Sequence, residues 1–155
     1  MTYASCPTVV VNAPIDIVWN LLTEPAQWGD FFDVRITGAE PAGPAVIGQR
    51  FYGESGSRFL HLGLKFEFTE VNPAQHKLGL NVGLPFGITV REDLSCSPVS
   101  TAQCRVNYHC SFAFPKGWRG GVARIVLRRQ AEAGPADSLA RLKHAAEQRY
   151  TTSPL

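Results

Sequence analysis

The sequence predicts an α+β domain in which a curved antiparallel sheet of about seven strands wraps a long C-terminal helix. Three observations carry this. Short runs of alternating polarity fill Val34 to Phe114 with no helical pattern between them. A short helical stretch precedes that region and a long one follows it. Sequential strands joined by short links are antiparallel neighbours, and the lack of crossover helices excludes a parallel sheet.

The elements follow in order. Thr8 to Val11 is a β-branched run and reads as a strand. Pro14 suits the first turn of a helix, where its missing N–H costs nothing. Ile15, Val18, Trp19 and Leu22 recur at i, i+3, i+4, i+7, one helical face that ends before Pro25. A second short helix, Ala26 to Phe32, carries Trp28, Phe31 and Phe32. Six strand runs come next: Val34–Glu40, Gly48–Glu54, Arg58–Val71, Lys77–Leu84, Ile88–Cys96 and Gln103–Phe114. Asn72-Pro73 and Ser97-Pro98-Val99-Ser100 read as turns. Trp118, Val122, Ile125, Val126 and Leu127 place an apolar stripe on a helix over Gly121 to Ala133. Gly134-Pro135 breaks that pattern, and a last helix starts near Asp137, with Leu139, Leu142 and Ala146 inward. The tail after Tyr150 is expected to fray. The C-terminal helix is the element long enough to run along the sheet and cover its apolar face.

Composition sets the outer limits. The 155 residues, 45% apolar and 18% charged, fit one globular domain over 1–155 with an ordered core of about 6–150. Such a chain needs no disulfide or metal to hold its fold. No apolar run reaches the roughly 20 residues of a membrane span. Met1 to Pro7 lacks the charged and apolar regions of a signal peptide, so a cytoplasmic protein is expected. From Pro115 onward eight basic residues stand against three acidic ones. No aromatic residues alternate with these charges in the manner of single-strand binders, so nucleic acid is not expected as a partner. Cys6, Cys96, Cys104 and Cys110 form no C-x-x-C pair and lack histidines at zinc spacing. They read as reduced thiols, although Cys96 and Cys104 face one another across a hairpin in this reading. No P-loop, dinucleotide fingerprint or G-x-S-x-G motif is present, and no cofactor is implied.

Several motifs in this order resemble a known family. They are Val9-Val10-Val11-Asn12-Ala13-Pro14 running into Ile15 to Trp19, Trp28 with Phe31-Phe32, Gly48-Gln49-Arg50-Phe51, Thr69-Glu70-Val71-Asn72-Pro73, and Ser138 to Glu147. Together they are similar to the START/Bet v1-like superfamily, in its polyketide cyclase/dehydrase-like (SRPBCC) branch. The resemblance implies a helix-grip fold with a cavity between sheet and C-terminal helix. Members include aromatic polyketide cyclases, ligand carriers, lipid-transfer domains and co-chaperones. No catalytic motif is shared among them, so the resemblance assigns no catalytic residue.

Strand alternation assigns faces directly. Cys104, Val106, Tyr108, Cys110, Phe112 and Phe114 share one face; Arg105, Asn107, His109 and Ser111 share the other. Leu60, Leu62, Leu64, Phe66 and Phe68 form a second apolar set, and Ile88, Val90, Leu94 and Cys96 a third, with Glu92 in phase with it. An unpaired inward carboxylate is costly. Glu92 is therefore either a general acid/base or ligand anchor with a raised pKa, or a strand-end residue that reaches water or pairs with Arg50 or Arg91. Tyr108 either donates to a ligand oxygen or is a core tyrosine satisfied by the backbone. Trp28, Phe32, Phe51, Phe66, Phe112 and Trp118 complete the candidate lining of a pocket for a flat or isoprenoid molecule; simple core packing is the alternative. Binding of an apolar or aromatic small molecule (lipid, isoprenoid or polyketide-like) is the first expectation. A cyclase/aromatase or dehydratase with acid–base assistance from Glu92 and Tyr108 is the second. A protein-interaction role through the basic C-terminal helix is the third.

Overall fold

The computed structural model describes residues 2–55 and 61–153. It holds eight strands: β1 (Thr2–Ser5), β2 (Thr8–Val11), β3 (Arg35–Glu40), β4 (Arg50–Ser55), β5 (Leu62–Asn72), β6 (Lys77–Gly83), β7 (Thr89–Ser100) and β8 (Gln103–Ala113). Helix α1 spans Ile15–Leu22, a 3-10 helix spans Pro25–Asp30, and the long helix α2 spans Trp118–Thr152. The strands form one antiparallel sheet in the order β1-β8-β7-β6-β5-β4-β3, with β2 also paired to β8. α2 packs against β1, β2, β8, α1 and the 3-10 helix. This is the curved sheet around a C-terminal helix, the helix-grip α+β fold.

The period-2 pattern works as elementary sterics require. In β8, Cys104, Val106, Tyr108, Cys110 and Phe112 are buried, while Arg105, Asn107 and His109 between them are exposed. Phe66 and Phe68 are buried on β5, and Val90, Leu94 and Cys96 on β7. Leu60 and the start of the Arg58–Val71 run lie outside the described residues. α1 ends at Leu22, whose carbonyl has no partner within the helix. The Trp28 indole N–H donates to it at 3.1 Å, fixing the following 3-10 helix against α1. Trp28 then meets Phe32, Phe51, Phe66 and Phe68 edge-on, with centroids 4.9 to 6.1 Å away.

Four expectations need correction. First, Thr2–Ser5 is a strand ahead of the expected first one, and β1 and β2 share one neighbour. Second, Ser97 to Ser100 is not a turn: β7 continues to Ser100 and the reversal falls at Thr101-Ala102. Pro98 is tolerated because the β7–β8 ladder is irregular between Pro98 and Ser100, while β6 pairing stops at Ser95. The same register sets Cys96 opposite Val106 and Cys104 opposite Pro98, and both thiols are free.

Third, Gly134-Pro135 does not break the helix. α2 runs unbroken through Pro135. Proline removes one backbone donor and crowds the preceding turn, a cost of about 3 kcal/mol. Gly134 has no Cβ to clash with the proline ring. Ala131, Pro135, Leu139, Leu142 and Ala146 form one buried row that carries the helix across the defect. Fourth, the helix does not fray at Tyr150. The hydroxyls of Thr151, Thr152 and Ser153 donate to the carbonyls of Gln148 and Arg149 and satisfy the last turn.

α2 is also tethered laterally. The Lys143 ammonium donates to the Val10 carbonyl at 2.8 Å and to Glu147 Oε1 at 2.7 Å. Glu147 Oε1 accepts in turn from the Asn12 backbone N–H at 2.8 Å. These contacts pin the C-terminal half of α2 to β2 and the entry to α1.

Candidate functional site

Between the inner face of the sheet and α2 lies a cavity of about 540 Å³. Its walls come from β5 to β8, the 3-10 helix and the middle of α2. Trp28, Phe32, Phe66, Glu92, Tyr108 and Phe112 all border it. Two other candidates do not. Phe51 is fully buried behind the wall, directly opposite Phe66 on the neighbouring strand. Trp118 is 76% exposed at the start of α2, on the outside of the molecule. The helical period detected its apolar stripe correctly, but period alone does not say which way a stripe faces.

The polar end of the cavity is made by β7 and β8. Glu92 pairs with Cys110 and Leu94 with Tyr108, so Glu92 and Tyr108 are diagonal neighbours on the inward face. Such pairs lie within reach of long side chains. The Tyr108 phenol, the Glu92 carboxyl and the Cys110 thiol share the inward face closely enough for each to influence the others' ionisation. Glu92 is partly uncovered because its side chain borders the cavity. Removal from bulk water raises its pKa to about 7; interaction with the Tyr108 hydroxyl opposes this, and the nearby Asp93 charge adds to it. Burial and the Glu92 charge push the Tyr108 phenol well above its ordinary value, so it stays protonated. Burial likewise holds Cys110 as a neutral thiol. Cys96, elsewhere in the core, is pushed up to about 12 by burial and by Cys104.

The arrangement is a neutral phenol donor beside a carboxyl that changes charge near pH 7, at one end of an apolar chamber. It can accept a proton from a bound molecule, return it, and hold an oxygen at the site of transfer. Glu92 pairs with neither Arg50 nor Arg91. Arg91 pairs with Asp93 and Arg50 with Glu67, both on the outer face. Among the described residues no three His, Cys, Asp or Glu side chains converge as a metal site.

Some lining residues were not singled out from the sequence. Val82, Leu64 and Val90 follow from the same alternation that gave Phe66 and Glu92. Val126, Gln130, Gly134 and Ser138 form a row at i+4 spacing along α2, with Leu127 and Pro135 beside it. Reading a break at Gly134-Pro135 hides that row, because its members then belong to different helices.

Comparisons with known proteins agree with the fold. Zhui aromatase/cyclase from Streptomyces sp. R1128 superposes with a TM-score of 0.73 at 15% identity, covering 96% of each chain. Norcoclaurine synthase from Thalictrum flavum, in complex with dopamine and hydroxybenzaldehyde, superposes with a TM-score of 0.69 at 13% identity, over 100% of this chain and 90% of that one. A conserved protein from Geobacillus kaustophilus gives 0.69 at 12% identity, over 96% and 97%. At these identities the likeness is one of fold. No curated protein matches the chain in sequence. The family model described as polyketide cyclase/dehydrase and lipid transport matches residues 7–147. The chain therefore belongs to the polyketide cyclase/dehydrase and lipid transport family, within the Bet v1-like SRPBCC superfamily.

Proposed function

We propose that the cavity binds a flat, mostly apolar molecule carrying a carbonyl or phenolic oxygen, and that Glu92 exchanges a proton with it while Tyr108 holds the oxygen. The reaction class is that of a cyclase/aromatase or dehydratase, in which a reactive chain is folded and a C–H or O–H proton is moved. The observation that carries this reading is the juxtaposition of Glu92 and Tyr108 as diagonal neighbours that both border a chamber of about 540 Å³, with the carboxyl poised at about 7. A carboxylate in an apolar chamber is a stronger base than one in water, and near neutrality both of its forms are populated.

The test separates binding from chemistry. Displacement of 1-anilinonaphthalene-8-sulfonate by aromatic ketones and phenols reports occupancy of the chamber. Deprotonation of 5-nitrobenzisoxazole, which needs only a positioned base, reports proton transfer. The rate should rise with pH to a plateau with a midpoint near 7 and fall at least about 100-fold in Glu92→Gln, the usual scale of one general base. Dye displacement with no rate difference between wild type and Glu92→Gln would leave a carrier. That second reading draws on the predominance of apolar side chains in the walls. Failure of both measurements would remove the ligand site altogether.

A further inference from the structure

The first half of α2 turns apolar side chains away from the core. Trp118, Val122, Ile125 and Val126 are 76%, 53%, 77% and 64% exposed. Helical geometry puts Trp118, Val122 and Ile125 on one face. Gly120, Ala123, Leu127 and Ala131, the covered residues of this stretch, fall on the opposite one. The ridge is thus the outward side of a seated helix.

Its charge is one-sided. Lys116, Arg119, Arg124, Arg128 and Arg129 lie between Pro115 and Ala131, and no acidic residue does. The Arg119 guanidinium stands 5.7 Å from the Trp118 ring centroid, and Arg128 pairs with Glu132 one turn on. A contiguous exposed apolar patch marks a surface that something covers. A second copy of the chain is disfavoured, because a two-fold contact would set Arg119 and Arg129 against their own kind in a drying interface. From Trp118 to Arg129 the polar groups are the guanidiniums and the Trp118 indole N–H, donors only, so the ridge offers no side-chain acceptor to set a register with a protein partner. A fluid anionic surface needs none. Tryptophan favours the membrane interface, aliphatic side chains enter the acyl boundary, and arginine stems reach back to the phosphates. No helix among the described residues is long and apolar enough to cross a membrane, so the helix would lie on the surface.

We propose that residues 116–129 dock this protein on an anionic lipid surface through the Trp118–Val122–Ile125 ridge and its flanking cations. Val126, one turn beyond Val122, also borders the cavity. Docking therefore brings the cavity rim to the bilayer, a route for an apolar ligand. That last step rests on the function proposed above; docking itself does not, and its test uses no ligand.

The test is partition of the full chain onto vesicles of phosphatidylcholine alone and of phosphatidylcholine with phosphatidylglycerol. Trp19 and Trp28 are 9% and 1% exposed, so the solvent-sensitive part of the emission belongs to Trp118. Binding to the anionic vesicles only, with a blue shift and loss at high salt, is expected. Arg119→Gln with Arg129→Gln should weaken it roughly 25-fold, at about fivefold per cation. Val122→Ser with Ile125→Ser should abolish the blue shift, while the thermal transition stays in place because both residues are exposed. Equal partition onto both vesicles, or none, overturns the proposal. So does a concentration-dependent dimer in lipid-free sedimentation that the same variants dissolve. Retention on polyglutamate without retention on anionic vesicles overturns it in favour of an acidic protein partner.

Discussion

Phe51 and Phe66 stack face to face across β4 and β5, with ring centroids 4.6 Å apart and planes 2° from parallel. One of the two borders the cavity and the other backs it. This divides their roles. Phe51→Ala should cost about 3–5 kcal/mol of stability, with little change in dye affinity per folded molecule. Phe66→Ala should enlarge the chamber and change affinity directly. Denaturant unfolding combined with dye titration of both variants separates the two effects.

Glu92 gives the fold a pH dependence with a defined sign. Its pKa is raised on folding from 4.5 to about 7. Below 4.5 the carboxyl is neutral in both folded and unfolded chains. As pH rises from 4.5 through 7 the unfolded chain ionises first, and up to about 3 kcal/mol of stability is lost. Glu92→Gln removes that slope. The variant should melt higher than wild type at about pH 8 and similarly at about pH 4, as thermal scans across the range will report.

Glu147 behaves in the opposite sense. The Lys143 ammonium and the Asn12 N–H hold its carboxylate below the usual range. A depressed pKa contributes stability above the unfolded value, and that contribution is lost as pH falls through the folded one. Glu147→Gln should therefore cost about 1–2 kcal/mol near neutrality, the worth of charged hydrogen bonds that are partly exposed. The difference should vanish in acid. Chemical denaturation at several pH values checks it.

Gly120 is fixed by its neighbour. A Cβ placed there would sit 1.8 Å from the Pro115 carbonyl oxygen, a backbone atom that cannot swing aside. In an ordinary helix glycine to alanine is stabilising by about 1 kcal/mol. Here Gly120→Ala should destabilise instead, and hydrogen exchange should show the loss concentrated in the first turns of α2.

How much of this was legible beforehand depends on the kind of signal. The inward phase of Glu92 and Tyr108 was readable because a strand's side-chain period is fixed at two, so one apolar neighbour sets the face of all the others. Their adjacency was not, since it depends on the β7–β8 register, and that depends on a turn two residues long where four were expected. Trp118 was placed inside because helical periodicity is blind to direction. Pro135 was read as a stop because local propensity favours one; a long helix with a buried row on both sides overrides it. Phe51 differs from Phe66 only in which of two facing strands lies nearer the chamber, which no single-strand pattern contains.

The sharing of β8 by β1 and β2 bears on how the chain resists self-association. An eleven-residue strand left open along one side would be a template for another molecule's backbone. Two four-residue strands, interrupted at Cys6-Pro7, cover it in two pieces. The new border they create is short, broken and unsuited to recruiting a further strand. At the opposite border β3 is six residues long, with an irregularity between Ile36 and Gly38 and a proline immediately after it. Both margins of the sheet are thus blunted, and polymerisation through its edges is disfavoured by construction.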